Sequence, residues 1–283
     1  MQLKHALTAA VEHLESSDCG SPRLNAETLL MFVLGVNRAY LYAHPERELN
    51  SEEQTGYDEV IGQRASGIPS QYITGHQEFW GLDFLVSPAV LIPRPETEHL
   101  VETVLELAKR VAQPHIVDVG TGSGCIALAL ANELKSAEVC AVDLSQEALE
   151  IARANAARLQ VDKRVRFLQS NVLDAFAGRD DFDFVVSNPP YVGLDEADKV
   201  QRSVFQHEPR MAVFAGEHGL DVIHPLVTQA HSSLKPGGWL AVEIGYSMRD
   251  AVLALLDPTS WNEPIIVPDL QGIPRVIATR KRS

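Results

Sequence analysis

The chain has 283 residues, 45% of them hydrophobic and 22% charged, enough for one large globular domain with a small companion or for two of moderate size. Its net charge of −14 argues against a dominant grip on nucleic-acid phosphates, which needs clustered Lys and Arg. Cys19, Cys125 and Cys140 lack CxxC or Cys/His spacing and read as small apolar core residues in a reducing compartment, not as disulfides or metal ligands.

Glu12 and His13 interrupt the apolar pattern of the N-terminus, which excludes a signal-peptide core there. No apolar run approaches the ~18 residues that span a bilayer. The expectation is a cytoplasmic protein with no membrane partner; oligomeric state is left open.

Residues 1–70 read as helical. Leu3, Leu7, Ala10, Val11 and Leu14 recur at helical spacing, Ser21-Pro22 is a good helix start, and Ser51-Glu52-Glu53-Gln54 fits a capping box. No catalytic cluster occurs in this stretch, which suits a partner-docking module. From Gln71 to Val90 the period becomes two: Trp80, Leu82, Phe84 and Val86 alternate with their neighbours, as in a strand or hairpin with one buried face. Val90 to Glu98 is a Pro-stiffened lead-in to a helix carrying Leu100, Val101, Val104 and Leu105. Its density of Pro, Arg and acidic residues also fits a segment lying over a site.

His115 to Val119 is a strand candidate, followed by Gly120-Thr121-Gly122-Ser123-Gly124 and a helix from Cys125 to Leu134. Strand, glycine loop and helix open a nucleotide-binding βαβ unit: glycines let the backbone approach a ligand, and the helix start offers free N–H groups. A second strand, Glu138 to Val142, ends in Asp143, near the ~20-residue separation at which an acid reaches ribose hydroxyls. The G-x-G-x-G spacing favours S-adenosylmethionine over a dinucleotide. A third strand near Val165 to Leu168 leads to Asn171-Val172, positioned to fall beside an adenine.

Phe182 to Ser187 reads as a buried strand, and Asn188-Pro189-Pro190-Tyr191 follows it. Two prolines cannot continue the ladder and each fixes φ, so the chain leaves the sheet stiffly. Such a corner suits a planar NH2 group: the Asn188 side-chain oxygen and the Pro189 carbonyl can each accept one N–H, and Tyr191 can cover the flat face. Beyond a polar stretch containing Glu208-Pro209-Arg210 come a helix through Val222 to Leu234, a turn at Pro236-Gly237-Gly238 and a strand from Trp239 to Ile244. Two last strands, Ile265 to Val267 and Arg275 to Ala278, suggest an antiparallel hairpin. Alternating strands and helices imply an α/β fold with a mostly parallel sheet covered on both faces.

Together these residues resemble the bacterial peptide-chain-release-factor glutamine N(5)-methyltransferases over nearly the whole chain. Gln71 to Gly75 with Glu78 to Gly81 looks like that family's interdomain hairpin, and Leu91 to Glu98 like its lead-in segment. Asp118 to Gly124 and Ser187 to Tyr191 match its donor and substrate motifs. The resemblance implies a small helical domain at 1–70, a hairpin linker at 71–90 and a seven-stranded, Rossmann-like class I methyltransferase domain at 91–283. It implies S-adenosyl-L-methionine bound by Gly120, Thr121, Gly122, Ser123, Gly124, Asp143, Asn171, Val172 and Asn188. Asn188, Pro189, Pro190 and Tyr191 would hold the glutamine of a release factor's Gly-Gly-Gln tip. Position 171 is Asn where many relatives carry an acid, and position 172 is Val where some carry Trp.

The expected chemistry is in-line attack of the amide nitrogen on the sulfonium methyl, driven by orientation and electrostatics and not by a strong base. Glutamine methylation of a ribosomal protein stands as the nearest alternative. DNA adenine methylation shares the Asn-Pro-Pro-Tyr motif, but the acidic balance counts against it. A dinucleotide-dependent oxidoreductase or a non-catalytic donor-binding module is the reading from another class.

Overall fold

A computed structural model describes every residue from Met1 to Ser283. The chain forms two compact units, residues 1–76 with 201–207, and residues 77–200 with 208–283.

The first unit is built on α1 (Leu3–Ser16), α2 (Pro22–Leu34), α3 (Arg38–Ala43), α4 (Ser51–Ala65) and α5 (Ser70–Thr74). Leu3, Ala6, Ala10 and Leu14 fall on one face of α1 and are buried with Leu29 and Leu30 of α2 and Tyr57 and Ile61 of α4. This is the three-and-four spacing by which a helix buries one stripe. The capping box of α4 is present but begins one residue earlier than the sequence suggested. Asn50 Oδ1 accepts from Glu53 N at 2.9 Å, and Glu53 Oε2 accepts from Asn50 N at 3.0 Å. Asn50 wins over Ser51 because its third following residue is the carboxylate Glu53, whereas that of Ser51 is Gln54. Residues 71–74, expected at the start of the hairpin, belong to the short helix α5, closed by Gly75 in the left-handed conformation at φ 76°.

The second unit opens with the hairpin β1 (His76–Phe79) and β2 (Leu82–Leu85). Its two-residue turn places Trp80 at φ 53° and Gly81 at φ 66°. Positive φ at both positions gives the backbone twist that matches a right-handed hairpin. There follow α6 (Glu98–Ala108), β3 (His115–Val119), α7 (Cys125–Glu133), β4 (Glu138–Asp143), α8 (Gln146–Arg158), β5 (Val165–Gln169) and β6 (Phe182–Ser187). Next come α9 (Arg202–His207), which belongs to the helical unit, α10 (Arg210–Val213), α11 (Ile223–Ser233) and β7 (Leu234–Glu243). The chain ends with α12 (Arg249–Leu253), β8 (Ile265–Pro268) and β9 (Pro274–Arg280).

The seven-stranded sheet has the order β5-β4-β3-β6-β7-β9-β8, parallel through β7 and antiparallel at β9 and β8. Alternate strand residues feed two cores. Ile116, Ala141, Phe184 and Ala241 pack with α6 and α7 on one face, and Val117, Val142, Val185 and Val242 pack with α11 on the other. Burial on both faces explains the nearly unbroken apolar runs. Pro236-Gly237-Gly238, expected as a turn before a strand, lies inside β7. The ladder there slips, with Phe182 opposite Leu234 but Phe184 opposite Trp239, so a bulge absorbs the proline.

Candidate active site

The register aligns Val119 of β3 with Val142 of β4 on one side and with Ser187 of β6 on the other. Gly120, Asp143 and Asn188, the next residues of strand-level Val119, Val142 and Ser187, therefore meet the carboxyl edge of the sheet together, with strands about 5 Å apart. Chain order reverses between β3 and β6. In an open α/β sheet the crevice at such a reversal is where ligands bind.

The glycine loop is held down by β4. Gly120 N and Thr121 N both donate to the Val142 carbonyl, at 2.8 and 2.9 Å, and Gly122 N donates to Asp143 Oδ2 at 2.9 Å. Asp143 Oδ1 takes the Ser145 amide at 2.9 Å, so this carboxylate shapes the loop. Burial pushes its pKa up, against backbone hydrogen bonds from Ser145, Gly122 and Leu144. Gly124 is required twice over: its φ is +85°, and a Cβ would lie 3.1 Å from Leu128 and 3.2 Å from Ala152. From behind, the buried Asn155 amide donates to the Ser123 carbonyl at 2.9 Å.

Asp118 lies under the loop, fully buried. Its Oδ2 accepts from the Thr121 hydroxyl at 2.6 Å and from Ala127 N at 3.2 Å, while Oδ1 has no partner. Burial raises this carboxyl to about 7, opposed by the Thr121 and Ala127 hydrogen bonds. Ser123 Oγ is likewise buried and unpartnered. A buried polar atom without a partner costs about 1–3 kcal/mol, and a proton held on Asp118 lessens that cost for its carboxyl. The neighbouring Cys125 thiol is pushed up to about 12 by burial and is no nucleophile.

Asn171 is exposed, whereas Val172 is buried against the core. Val172 is held at φ 49°, a region a β-branched residue enters only under constraint.

At the Asn188 corner the side-chain Nδ2 donates to the Thr97 hydroxyl at 3.0 Å. No group of the chain donates to Asn188 Oδ1 or to the Pro189 carbonyl. Two acceptors are thus left on one stiff bend. Tyr191 beside them is held by its backbone: Gly219 packs against its carbonyl, and Gly245 against its ring. Burial raises the Tyr191 phenol well above its ordinary value, with the Glu243 charge adding to the rise, so it stays protonated.

Three residues of this edge had no functional reading in the sequence. Glu208 is buried, accepts from Ile92 N at 3.2 Å and pairs with Arg94, fixing the lead-in segment. Thr97 and Glu243, both buried, complete the surroundings of Asn188 and Tyr191. A detectable signal existed for Glu243: an acid at the carboxyl end of an otherwise apolar strand of a parallel sheet. Thr97 had none of its own: its segment fits a cover over a site, but Pro95-Glu96-Thr97 reads equally well as the start of a helix.

The profile of the PrmC N-terminal domain family matches residues 5–75, and that of the methyltransferase small domain family matches residues 96–218. The release factor glutamine methyltransferase of Koribacter versatilis is 58% identical over 281 residues, 99% of each chain. That of Geobacter sulfurreducens is 39% identical over 95% of this chain and 93% of its own. Among solved structures, the hMettl16 catalytic domain, crystallised with an RNA hairpin, superposes with a TM-score of 0.58 at 18% identity, covering 79% of this chain and 82% of that one. That likeness speaks for the class I methyltransferase fold alone.

Proposed function

The chain belongs to the family of release factor glutamine methyltransferases, and from that premise we propose that it methylates the side-chain amide nitrogen of the glutamine in the Gly-Gly-Gln motif of peptide chain release factors. The methyl donor is S-adenosyl-L-methionine, which supplies an electrophilic methyl carbon on a sulfonium. Residues 91–283 carry the chemistry and the helical residues 1–70 dock the protein substrate. No helix is long and apolar enough to cross a membrane. The enzyme works in the cytoplasm, where release factors meet the ribosome.

The residues present fit the donor. Gly120 to Gly124 give backbone close approach, and Asp143, whose carboxylate fixes the Gly122 amide, stands at the carboxyl edge of the sheet beside them. Asn171 and Val172 flank the adenine.

The observation that carries the reading is the pair of free acceptors, Asn188 Oδ1 and Pro189 O, on one rigid bend next to the glycine loop. A primary carboxamide offers two N–H groups, and this bend takes both. An amide nitrogen is a poor nucleophile, because its lone pair is delocalised into the carbonyl. Two acceptors at its hydrogens align the lone pair and favour the positive charge that grows on nitrogen. Pro190 keeps the bend stiff and Tyr191 covers the amide plane.

Labelled methyl donor incubated with a release factor, its Gly-Gly-Gln glutamine-to-alanine variant, ribosomal proteins and DNA tests the reading. Label in the release factor alone, lost with the glutamine, is expected. Equal label in the variant, or label only in ribosomal protein or DNA, overturns it.

A further inference from the structure

Asn188 and Glu243 occupy the same level on adjacent strands, because the register that aligns Ser187 of β6 with Val242 of β7 brings the next residue of each side by side. Thr97 reaches this level from the lead-in segment. Its hydroxyl accepts the Asn188 Nδ2–H at 3.0 Å, and the Glu243 Oε2, buried without a hydrogen-bond partner, is left there as an acceptor. Thr97 and Glu243 are each 2% exposed, so no solvent competes for these groups. Burial pushes Glu243 up to about 7, and hydrogen bonding from Thr97, the Arg275 charge and hydrogen bonding from Tyr191 oppose it, with Glu96 adding to the rise.

The two ends of an asparagine amide are nearly the same shape, but one donates and the other accepts. A lone hydroxyl tolerates either end, since it can donate or accept. A hydroxyl whose single hydrogen is already committed elsewhere tolerates only the NH2 end. We infer that Thr97 and Glu243 are positioning residues for methyl transfer: Glu243 draws the Thr97 hydrogen, leaving a lone pair toward Asn188, and this turns the Asn188 oxygen to the substrate amide. With the amide reversed, Asn188 would meet the substrate's N–H groups with N–H groups of its own.

This inference rests on Asn188 holding the reacting amide, and the test separates the two. Turnover and KM are measured on the full chain with a release factor as substrate, and donor affinity by calorimetry, for Thr97→Val, Asn188→Ala and the double variant. Thr97→Val, nearly isosteric, is expected to lower kcat by about tenfold to a hundredfold, with donor affinity and melting temperature little changed. Thr97→Ser, which restores the hydroxyl, recovers most of the loss, and Glu243→Leu lowers kcat in the same way. In the Asn188→Ala background Thr97→Val causes no further loss, because the residue it orients is gone.

Normal turnover in Thr97→Val overturns the inference, as does a full additive loss in the double variant or a Thr97→Ser enzyme no better than Thr97→Val. Should Thr97→Val fail to fold, Thr97→Ala and Glu243→Leu are read by the same cycle, and additive losses there overturn it equally. Normal turnover in Asn188→Ala sinks the underlying reading instead.

Discussion

Gly219 lies so close to Tyr191 that a Cβ placed on it would stand 2.2 Å from the Tyr191 carbonyl oxygen. Its φ of +76° also belongs to the region that favours glycine. The loop after the Asn188 corner is therefore clamped from outside: Val192 N donates to Val213 O, Ala215 N to Val192 O and Leu194 N to Gly216 O. Gly219→Ala has to push the Tyr191 backbone away. The expected result is a loss of about 2–3 kcal/mol in urea unfolding, and at least tenfold in kcat. Gly272→Ala is the comparison. It has the same kind of φ, +80°, but open space around it, so it costs only the conformational ~1–2 kcal/mol and leaves turnover intact. Equal turnover losses in the two variants would separate activity from this contact.

Asn155 ties the hairpin to the donor loop. Its Oδ1 accepts from Leu85 N at 2.7 Å, and its Nδ2 donates to the Leu85 and Ser123 carbonyls at 3.0 and 2.9 Å. Asn155 is fully buried, so truncation to alanine strands backbone groups that water reaches poorly. At about 1–3 kcal/mol for each unsatisfied group, Asn155→Ala is expected to lower stability by roughly 3 kcal/mol and to weaken donor binding through Ser123. Denaturant titration and calorimetry check both. Unchanged donor affinity would mean that the loop keeps its shape without this anchor.

Much of this arrangement was legible in the sequence, for a physical reason: the strands are apolar runs bounded by turn residues, and the donor loop and substrate corner are each contiguous. Contiguous motifs carry their geometry with them. Thr97, Glu208 and Glu243 do not, since they reach the site from three separated segments and each obeys the local rules of its own element. Long-range pairing is what brings them to the site, and Arg94 with Glu208 shows it best: neither residue hints at the other. The local misses share one cause. The capping box at Asn50, the helical Gln71 to Thr74 and the bulge at Pro236 to Gly238 all turn on which of two nearby residues makes a hydrogen bond.

The double engagement of Asp143 with Gly122 N and Ser145 N bears on donor binding. Asp143→Ala removes the acid at the carboxyl edge of the sheet and also frees the middle of the glycine loop. The expected outcome is donor affinity weakened by about tenfold to a hundredfold, on the scale of a charged hydrogen bond at roughly 1.5–3 kcal/mol. Turnover at saturating donor falls much less. Calorimetry with the donor's demethylated product gives the same ranking without any reaction. Asp143→Asn, which keeps one acceptor for Gly122 N, is expected to lie between wild type and alanine. Unchanged affinity in Asp143→Ala would remove this residue from the donor site.

Asp118 makes the ligand-free protein pH-sensitive in a direction opposite to that of a surface ion pair. Its carboxyl titrates near 7 in the folded chain, burial being the cause, and near about 3.9 when unfolded. Below about pH 4 both states hold the proton and the residue contributes no slope. Between about 4 and 7 the folded state keeps a proton that the unfolded state has released, so stability falls as pH rises. Above the folded value both states are ionised and the slope vanishes. Glu243, also raised to about 7, adds a similar decline, so the informative quantity is the difference between wild type and Asp118→Asn. Unfolding free energies of the two, measured from pH 4 to 8, are expected to diverge steadily up to about pH 7 and then run parallel, the wild type losing more. Parallel curves across the whole range would show that Asp118 is ionised in the folded protein at pH 5, with a partner for its second oxygen.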